Sequence, residues 1–225
     1  MSSLWIFGDN ASAIFGKTKE RRFKYYKEYR NGIFPKTWSE LLSKELGYKL
    51  RNMAVGGVSN YDIFDMICKC IEQIRKDDVV IIGWGYQQTF RLVDENINGF
   101  ISVRNNQFKE HQVNIPKMLN GIDKHTIDSV LTNRKHLYWN TEIYNWESMI
   151  NLLAKLIGFK VVYWTFDSTL NKPHYISTND FRTDLIKRGA EDITWETNGK
   201  LVDDNFGEKG HLIQFKYFLN HIHNG

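Results

Sequence analysis

Short apolar runs alternate with helical repeats in the N-terminal part of the chain, and this alternation constrains the fold more than any other feature. The apolar runs are Ser3–Phe7, Tyr48–Met53 and Val79–Ile82. Between them, hydrophobic residues recur at helical spacing from Trp38 to Leu46 and from Asn60 to Arg75. Strand, helix, strand, helix, strand is typical of a parallel sheet with helices on both faces.

The same alternation returns towards the C-terminus. A helix is predicted over 138–157 and a strand over Phe159–Thr165, followed by helices around Asp180–Lys187 and over Lys209–His221. The intervening segment 95–135 is polar and irregular. We therefore predict an insertion or lid after the third strand.

A chain of 225 residues suits one hydrophobic core. The predicted fold class is a single α/β domain over residues 1–225, a three-layer α/β/α arrangement with a mostly parallel sheet of about five strands. Hydrophobic residues make up 42% of the chain, which argues against disorder. The N-terminus MSSLWIFGDNAS lacks a basic leader, and no apolar run is long enough for a membrane span. These features predict cytoplasmic synthesis without membrane contact.

Ligands of open parallel sheets bind at the carboxyl ends of the strands. Three loops at such positions have unusual sequences, and a fourth unusual segment precedes the last helix. These segments are Phe7–Ser12, Asn52–Asn60, Gly83–Tyr86 and Asp203–His211.

In their order and spacing, the four segments resemble the four sequence blocks of the SGNH (GDSL-type) hydrolase family. The helix that starts Trp38-Ser-Glu-Leu-Leu, the turn Asn52–Asn60, and Ile82-Gly83-Trp84 followed by Arg91 look particularly like members encoded by bacteriophages. The resemblance spans nearly the whole chain. It implies an SGNH or flavodoxin-like fold and, for active members, hydrolysis of acyl esters without a cofactor.

The roles that the resemblance implies fall mostly on residues unable to perform them. The position of the serine nucleophile is Asn10, the asparagine donor falls at Gly85, and Asn205 stands where the catalytic histidine belongs. The glycine donor is retained at Gly57, and Asp203 matches the aspartate of the triad. Because the triad acts as a unit, we expect no hydrolysis from these positions.

Other residues could replace the lost groups. Ser12 follows the nucleophile position but is expected to point away from the pocket, and Ser59 is a second candidate. His211 is interpreted as a structural residue of the last helix. Four further histidines lie in or near the insertion and could enter the cleft: His111, His125, His136 and His174.

A metal site is not expected, because Asp9, Asp203 and Asp204 lie far apart in the sequence and show no ligand spacing. Cys68 and Cys70 are two residues apart in a predicted helix and cannot share a face, so neither a disulfide nor a zinc site is expected from them.

Three functions remain open at this stage. The first is a pseudoenzyme that binds a glycan or acylated sugar or serves as a structural component, for example of a phage virion. The second is an active esterase or deacetylase with a relocated nucleophile. The third is nucleic-acid binding through the basic and aromatic segment 17–30, which could equally be a solvated surface. The expected binding pocket of the pseudoenzyme comprises Asp9, Asn10, Gly57, Asn60, Trp84, Tyr86 and Asn205.

Overall fold

A computed structural model describes the greater part of the predicted sheet and helices. Its described residues are 1–9, 12, 36–56, 58–85, 89–94, 99–104, 136–165, 170, 174–176, 196–197, 200–201 and 208–224. Within these ranges, residues 89–94, 99–104, 136–140, 196–197, 200–201, 208 and 209 are described by their backbone alone.

Five strands form one parallel sheet in the order β2-β1-β3-β6-β7, numbered along the chain. They are β1 (Ser3–Phe7), β2 (Lys49–Asn52), β3 (Val79–Trp84), β6 (Lys160–Thr165) and β7 (Tyr175–Ile176). The edges of the sheet are β2, whose residues 49 and 51 are exposed, and the two-residue strand β7. This order is that of the flavodoxin-like doubly wound fold.

Four helices flank the sheet in the described part of the chain. They are α1 (Trp38–Leu46), α2 (Asn60–Cys70), α3 (His136–Ile157) and α4 (Glu208–Asn224), and a 3-10 turn, Ile71–Gln73, extends α2. The predicted fold class is therefore confirmed as an all-parallel α/β fold with flanking helices.

Alternate residues of each strand face opposite layers, which produces two separate hydrophobic clusters. On one face, Phe7 and Ile82 pack with residues of α2 and α3 such as Ile63 and Ile150. On the other face, β-strand residues including Ile6, Ile81 and Trp164 pack with Trp38, Leu42 and Phe218 of α1 and α4. Central strands that are buried on both sides read as continuous apolar runs, and this explains why the strands were predictable from sequence.

Local signals fix where α1 and α2 begin. Thr37 and Glu40 form a capping box at the start of α1, and Ser59 and Asp62 form the same arrangement at the start of α2. Helix α1 ends at Gly47, which adopts the left-handed conformation at φ 66° that is common for glycine after the last turn of a helix.

The segment after β3 contains regular structure that the sequence analysis did not predict. Strands β4 (Thr89–Asp94) and β5 (Gly99–Arg104) pair antiparallel, so the beginning of the predicted irregular insertion 95–135 is part of a hairpin. A second antiparallel pair joins β8 (Glu196–Thr197) to β9 (Lys200–Leu201). The remainder of the insertion, residues 105–135, and the predicted helix Asp180–Lys187 lie outside the described residues.

Candidate functional site

The carboxyl ends of β1 and β3 lie side by side at the topological switch point of the sheet. Strand β1 pairs with β2 on one side and with β3 on the other. Helix α1, which follows β1, and helix α3, which follows β3, pack on opposite faces of the sheet. The carboxyl edge between two such strands is where open α/β sheets form a crevice that binds ligands.

A tight turn follows β1 at this edge. Gly8 has φ +155°, a backbone conformation that side chains rarely adopt, and its carbonyl accepts a hydrogen bond from the Val55 N–H at 3.0 Å. The Ser12 N–H donates to the Asp9 carbonyl at 3.0 Å and closes the turn. Asp9 is thereby placed at the crevice with its side chain largely buried, at 9% exposure.

Asn60 joins the start of α2 to the end of β3 through both ends of its carboxamide. The Gly85 N–H donates to Asn60 Oδ1 at 2.7 Å, and Asn60 Nδ2 donates to the Gly85 carbonyl at 3.1 Å. A Cβ at Gly85 would lie 3.5 Å from both Asn60 Oδ1 and Asp9 Oδ2. The structure therefore brings together Asp9, Asn60 and Gly85 of the residues singled out from the sequence.

Ser12 is withdrawn from the crevice. It is 1% exposed, and its Oγ lies 2.4 Å and 2.7 Å from where Cβ atoms would be at Gly8 and Gly83. The hydroxyl therefore packs against the backbone of both central strands. The Ser12 carbonyl accepts a hydrogen bond from Asn52 Nδ2 at 2.8 Å, which anchors the turn to the end of β2.

Ser59 also has a structural role. Its side chain is fully buried, its Oγ donates to Asp62 Oδ2 at 2.7 Å, and it accepts a bond from the Asp62 N–H. The Ser59 hydroxyl is thus engaged with a carboxylate at the N-terminus of α2.

A buried carboxylate on α3 forms a second polar cluster that sequence analysis missed. Glu147, 2% exposed, accepts hydrogen bonds from the indole N–H of Trp84 at 2.9 Å and from the hydroxyl of Tyr175. His174, half exposed, places Nε2 at 3.6 Å from the second carboxylate oxygen. The sequence signal was a glutamate among the apolar positions of a predicted helix.

This cluster has electrostatic consequences for two tyrosines. The Tyr163 hydroxyl donates to Asn151 Oδ1 at 3.1 Å. Burial, reinforced by the negative charge of Glu147, holds the pKa of Tyr163 and of Tyr175 well above the ordinary value of 10.0. Both phenols are therefore neutral donors at physiological pH.

The remaining sequence candidates divide into two groups. Trp84 is 2% exposed and its ring lies in the hydrophobic cluster, so its indole serves Glu147 rather than the crevice. His211 is 4% exposed and accepts a bond from the Trp38 N–H at 3.3 Å, as its structural interpretation requires. The candidates outside the described residues are Asn10, Gly57, Tyr86, His111, His125, Asp203, Asp204, Asn205 and the segment 17–30, and His136 is described by its backbone alone.

Within the described ranges, no group of three or more His, Cys, Asp or Glu residues is placed to hold a metal ion. Cys68 is an exposed free thiol and Cys70 a buried one. None of the helices that the structure describes has the length and apolar character needed to cross a membrane.

Comparison with known proteins finds similarity to solved structures but not to known sequences. No protein-family model matches the chain, and no curated protein sequence matches it. The backbone is similar to the crystal structure of protein YxiM from Bacillus subtilis, with a TM-score of 0.49 and 11% sequence identity over 99% of this chain and 56% of that one. This chain thus spans little more than half of the length of that solved chain.

Proposed function

We propose that this chain is a non-hydrolytic binding protein on an SGNH-hydrolase-like fold, and that it takes a glycan or acylated sugar at the carboxyl edge of β1 and β3. The proposal combines the sequence resemblance with the arrangement of Asp9, Asn60 and Gly85 at the crevice. The observation that carries it is the burial of Ser12 and Ser59, the two serines that could have replaced the missing nucleophile.

The proposed loss of hydrolysis has a chemical basis at each position. Ser12 is packed against glycine backbone and Ser59 is bound to Asp62, so neither hydroxyl faces an imidazole among the described residues. At Gly85, where the family would supply an amide donor, the nearest side-chain groups are oxygens of Asp9 and Asn60. A carboxylate at this position opposes the negative charge that develops during ester hydrolysis.

The same arrangement favours a ligand that donates hydrogen bonds. The Asp9 carboxylate is an acceptor, and sugar hydroxyls are donors of the right kind. Beside the Gly8 turn, the Val55 side chain is 46% exposed, and an exposed aliphatic group suits the apolar face of a sugar ring. By sequence, the carboxamides of Asn10 and Asn205 would add further donors and acceptors.

Hydrolysis and binding are tested separately. We expect the purified chain to leave p-nitrophenyl acetate intact and to resist labelling by a fluorophosphonate probe. Isothermal titration with chitohexaose, cellohexaose and O-acetylated xylohexaose should detect binding of at least one of them. The substitution Asp9→Asn should weaken that binding about tenfold or more, because it removes a charge-assisted acceptor.

The matched control is Asp77→Asn, which changes an exposed aspartate just before the amino end of β3 and should leave binding unchanged. Labelling of one serine by the probe, abolished by replacing that serine with alanine, would overturn the non-hydrolytic part of the proposal. Failure of all three oligosaccharides to bind would overturn the glycan part.

The biological setting belongs to the same proposal. The sequence resembles members encoded by bacteriophages in particular, so we propose that the protein is a virion component such as a decoration or tail-associated protein. This step is analogy at the level of the fold and depends on the resemblance alone.

A further inference from the structure

His211 connects the start of α4 to the start of α1. Its Nδ1 accepts a hydrogen bond from the Trp38 N–H at 3.3 Å, although the two residues are 173 positions apart in the sequence. Trp38 is the first residue of α1, and the first N–H groups of a helix have no partner within that helix. The imidazole therefore satisfies a backbone group at the terminus of another helix. His211 is 4% exposed, and Phe218 of the same helix stacks on the Trp38 ring at 4.3 Å.

This hydrogen bond can form only with the neutral imidazole. A ring nitrogen that accepts a hydrogen bond is unprotonated, so the proton of neutral His211 is on Nε2. In the imidazolium both nitrogens carry protons, and the Nδ1 proton would then point at the proton of the Trp38 amide. Burial also disfavours the charged form, and so does the partial positive charge at the N-terminus of α1.

The charged side chains of the described elements around this contact are engaged or directed elsewhere. On α1, the Glu40 carboxylate is bonded within the capping box of the helix. In the turn after β1, Asp9 directs Oδ2 towards Gly85. The other charged residues of α1, of its entry, of β2 and of α4 with described side chains are exposed: Lys36, Lys44, Glu45, Lys49, Arg51 and Lys216. The strands contribute apolar residues to this layer, namely Leu4, Ile6, Val79, Ile81, Val162 and Trp164.

The start of α1 is in turn connected to the turn that carries Asp9. Asn52 Nδ2 donates to Ser39 Oγ, in the first turn of α1, at 3.2 Å and to the Ser12 carbonyl at 2.8 Å. The Ser12 N–H donates to the Asp9 carbonyl at 3.0 Å. A chain of hydrogen bonds therefore runs from the helix that His211 holds to the candidate site.

We propose that the contact between His211 and Trp38 is an acid-sensitive link: a proton taken up by His211 breaks the bond, separates the start of α1 from α4 and loosens the Asp9 turn. The unfolded chain takes up that proton near the ordinary pKa of histidine, about 6.5, whereas the folded protein needs the neutral ring. Below that pH the unfolded state therefore binds more protons, and stability falls as the pH falls. Above it the contribution of His211 is fully present.

Urea titrations at pH 7.0 and pH 5.0 test the link. His211 alone should lower the folding equilibrium constant of the unmodified protein about 20-fold over this interval. The substitution His211→Asn keeps an acceptor oxygen close to the position of Nδ1 but does not titrate, so its loss should be smaller by about that factor.

The matched control is His223→Asn, the same change at an exposed position of α4, which should lose as much as the unmodified protein. His221, which lies beside Lys160, is present in all three proteins, so its own titration cancels. An equal loss in His211→Asn and in the unmodified protein would overturn the proposal.

Two measurements on the unmodified protein give an answer even if His211→Asn does not fold. With ¹⁵N-labelled histidine, NMR correlation spectra at pH 7 should show neutral His211 with its proton on Nε2, and a proton on Nδ1 would overturn the proposal. Protection of the Trp38 and Ser12 amides against hydrogen exchange, corrected for the intrinsic rate, should fall together between pH 7 and pH 5. Unchanged protection at Ser12 would refute the connection to the Asp9 turn.

Discussion

The carboxamide of Asn60 has a structural role at the end of β3. Its oxygen and nitrogen both bond to the backbone of Gly85, which fixes the end of β3 against the start of α2. The sequence predicted Asn60 as a residue of the binding pocket. In the structure, the hydrogen bonds of its carboxamide to Gly85 hold the end of β3 in place.

Two glycines at the end of β3 should respond very differently to the same substitution. In Gly83→Ala, the added Cβ would approach Trp164 Nε1 to 2.6 Å and Ser12 Oγ to 2.7 Å, both closer than real Cβ contacts. We expect a loss of about 1–3 kcal/mol in the free energy of unfolding, measured by urea titration.

Gly85→Ala is the matched control, because its nearest neighbours would lie at 3.5 Å, an ordinary van der Waals distance. Its unfolding free energy should stay close to that of the unmodified protein. Equal stability of the two variants would show that Ser12 and Trp164 do not pack against β3 as described.

The contacts of individual side chains were the least predictable part of the site. Glu147 meets Trp84 across 63 residues of sequence and Tyr175 across 28. No local sequence pattern predicts these contacts of Glu147, because they depend on how α3 packs against β3 and β7. The turn at Gly8-Asp9 was different, since its glycine and acidic residue directly after an apolar run already indicated a loop at the carboxyl edge.

At the scale of elements, the capping boxes at α1 and α2 stabilise the starts of their helices in the same way. Each satisfies a backbone N–H at the start of a helix and, in return, the N-cap N–H is bound by the acidic residue three positions on. At α2 the box is formed by Ser59, which directly precedes Asn60, the residue that bonds to the backbone of Gly85.

Removal of either cap should therefore destabilise the protein. We expect Thr37→Ala and Ser59→Ala each to lower the free energy of unfolding by about 1 kcal/mol in urea titrations. Ser148→Ala, an exposed serine within α3, is the control and should change stability by much less. A control effect as large as that of the two caps would show that the cap bonds are not the source of the loss.

The elements that were predicted correctly from the sequence all have a clear hydrophobic pattern. Hydrophobic residues recur at helical spacing along the whole of α3, and β3 and β6 are mostly continuous apolar runs. These are strong sequence patterns for a helix and for buried strands. The hairpin β4–β5 was missed because the polar composition of the segment after β3 suggested a loop. Strand β7 has only two residues, too few for any periodicity.

At the scale of the whole molecule, the two tyrosines near Glu147 couple stability to alkaline pH. The unfolded chain releases their phenolic protons near the ordinary pKa of 10.0, whereas burial and the Glu147 charge keep these protons bound in the folded protein. Above pH about 10 the unfolded state therefore binds fewer protons, and stability falls as the pH rises. Below that pH the contribution of these tyrosines is fully present.

The expected slope is about 1.4 kcal/mol per pH unit for each such tyrosine above pH about 10, measured from urea titrations at successive pH values. Tyr175→Phe should reduce the slope by the share of one tyrosine. Tyr144→Phe, the same change at a position that is 61% exposed, is the matched control. Identical slopes for the two variants would contradict the assignment of Tyr175 to the buried cluster.

The short edge strands of the parallel sheet affect the tendency of the protein to aggregate at high concentration. An open sheet can recruit a strand from a neighbouring chain through the unpaired backbone groups along its border, which is a common start to aggregation. Here one border is a four-residue strand with the exposed cations Lys49 and Arg51, and the other offers only Tyr175–Ile176. Like charges repel across the first border and the second provides little length for pairing, so this sheet is a poor template for growth from one molecule to the next.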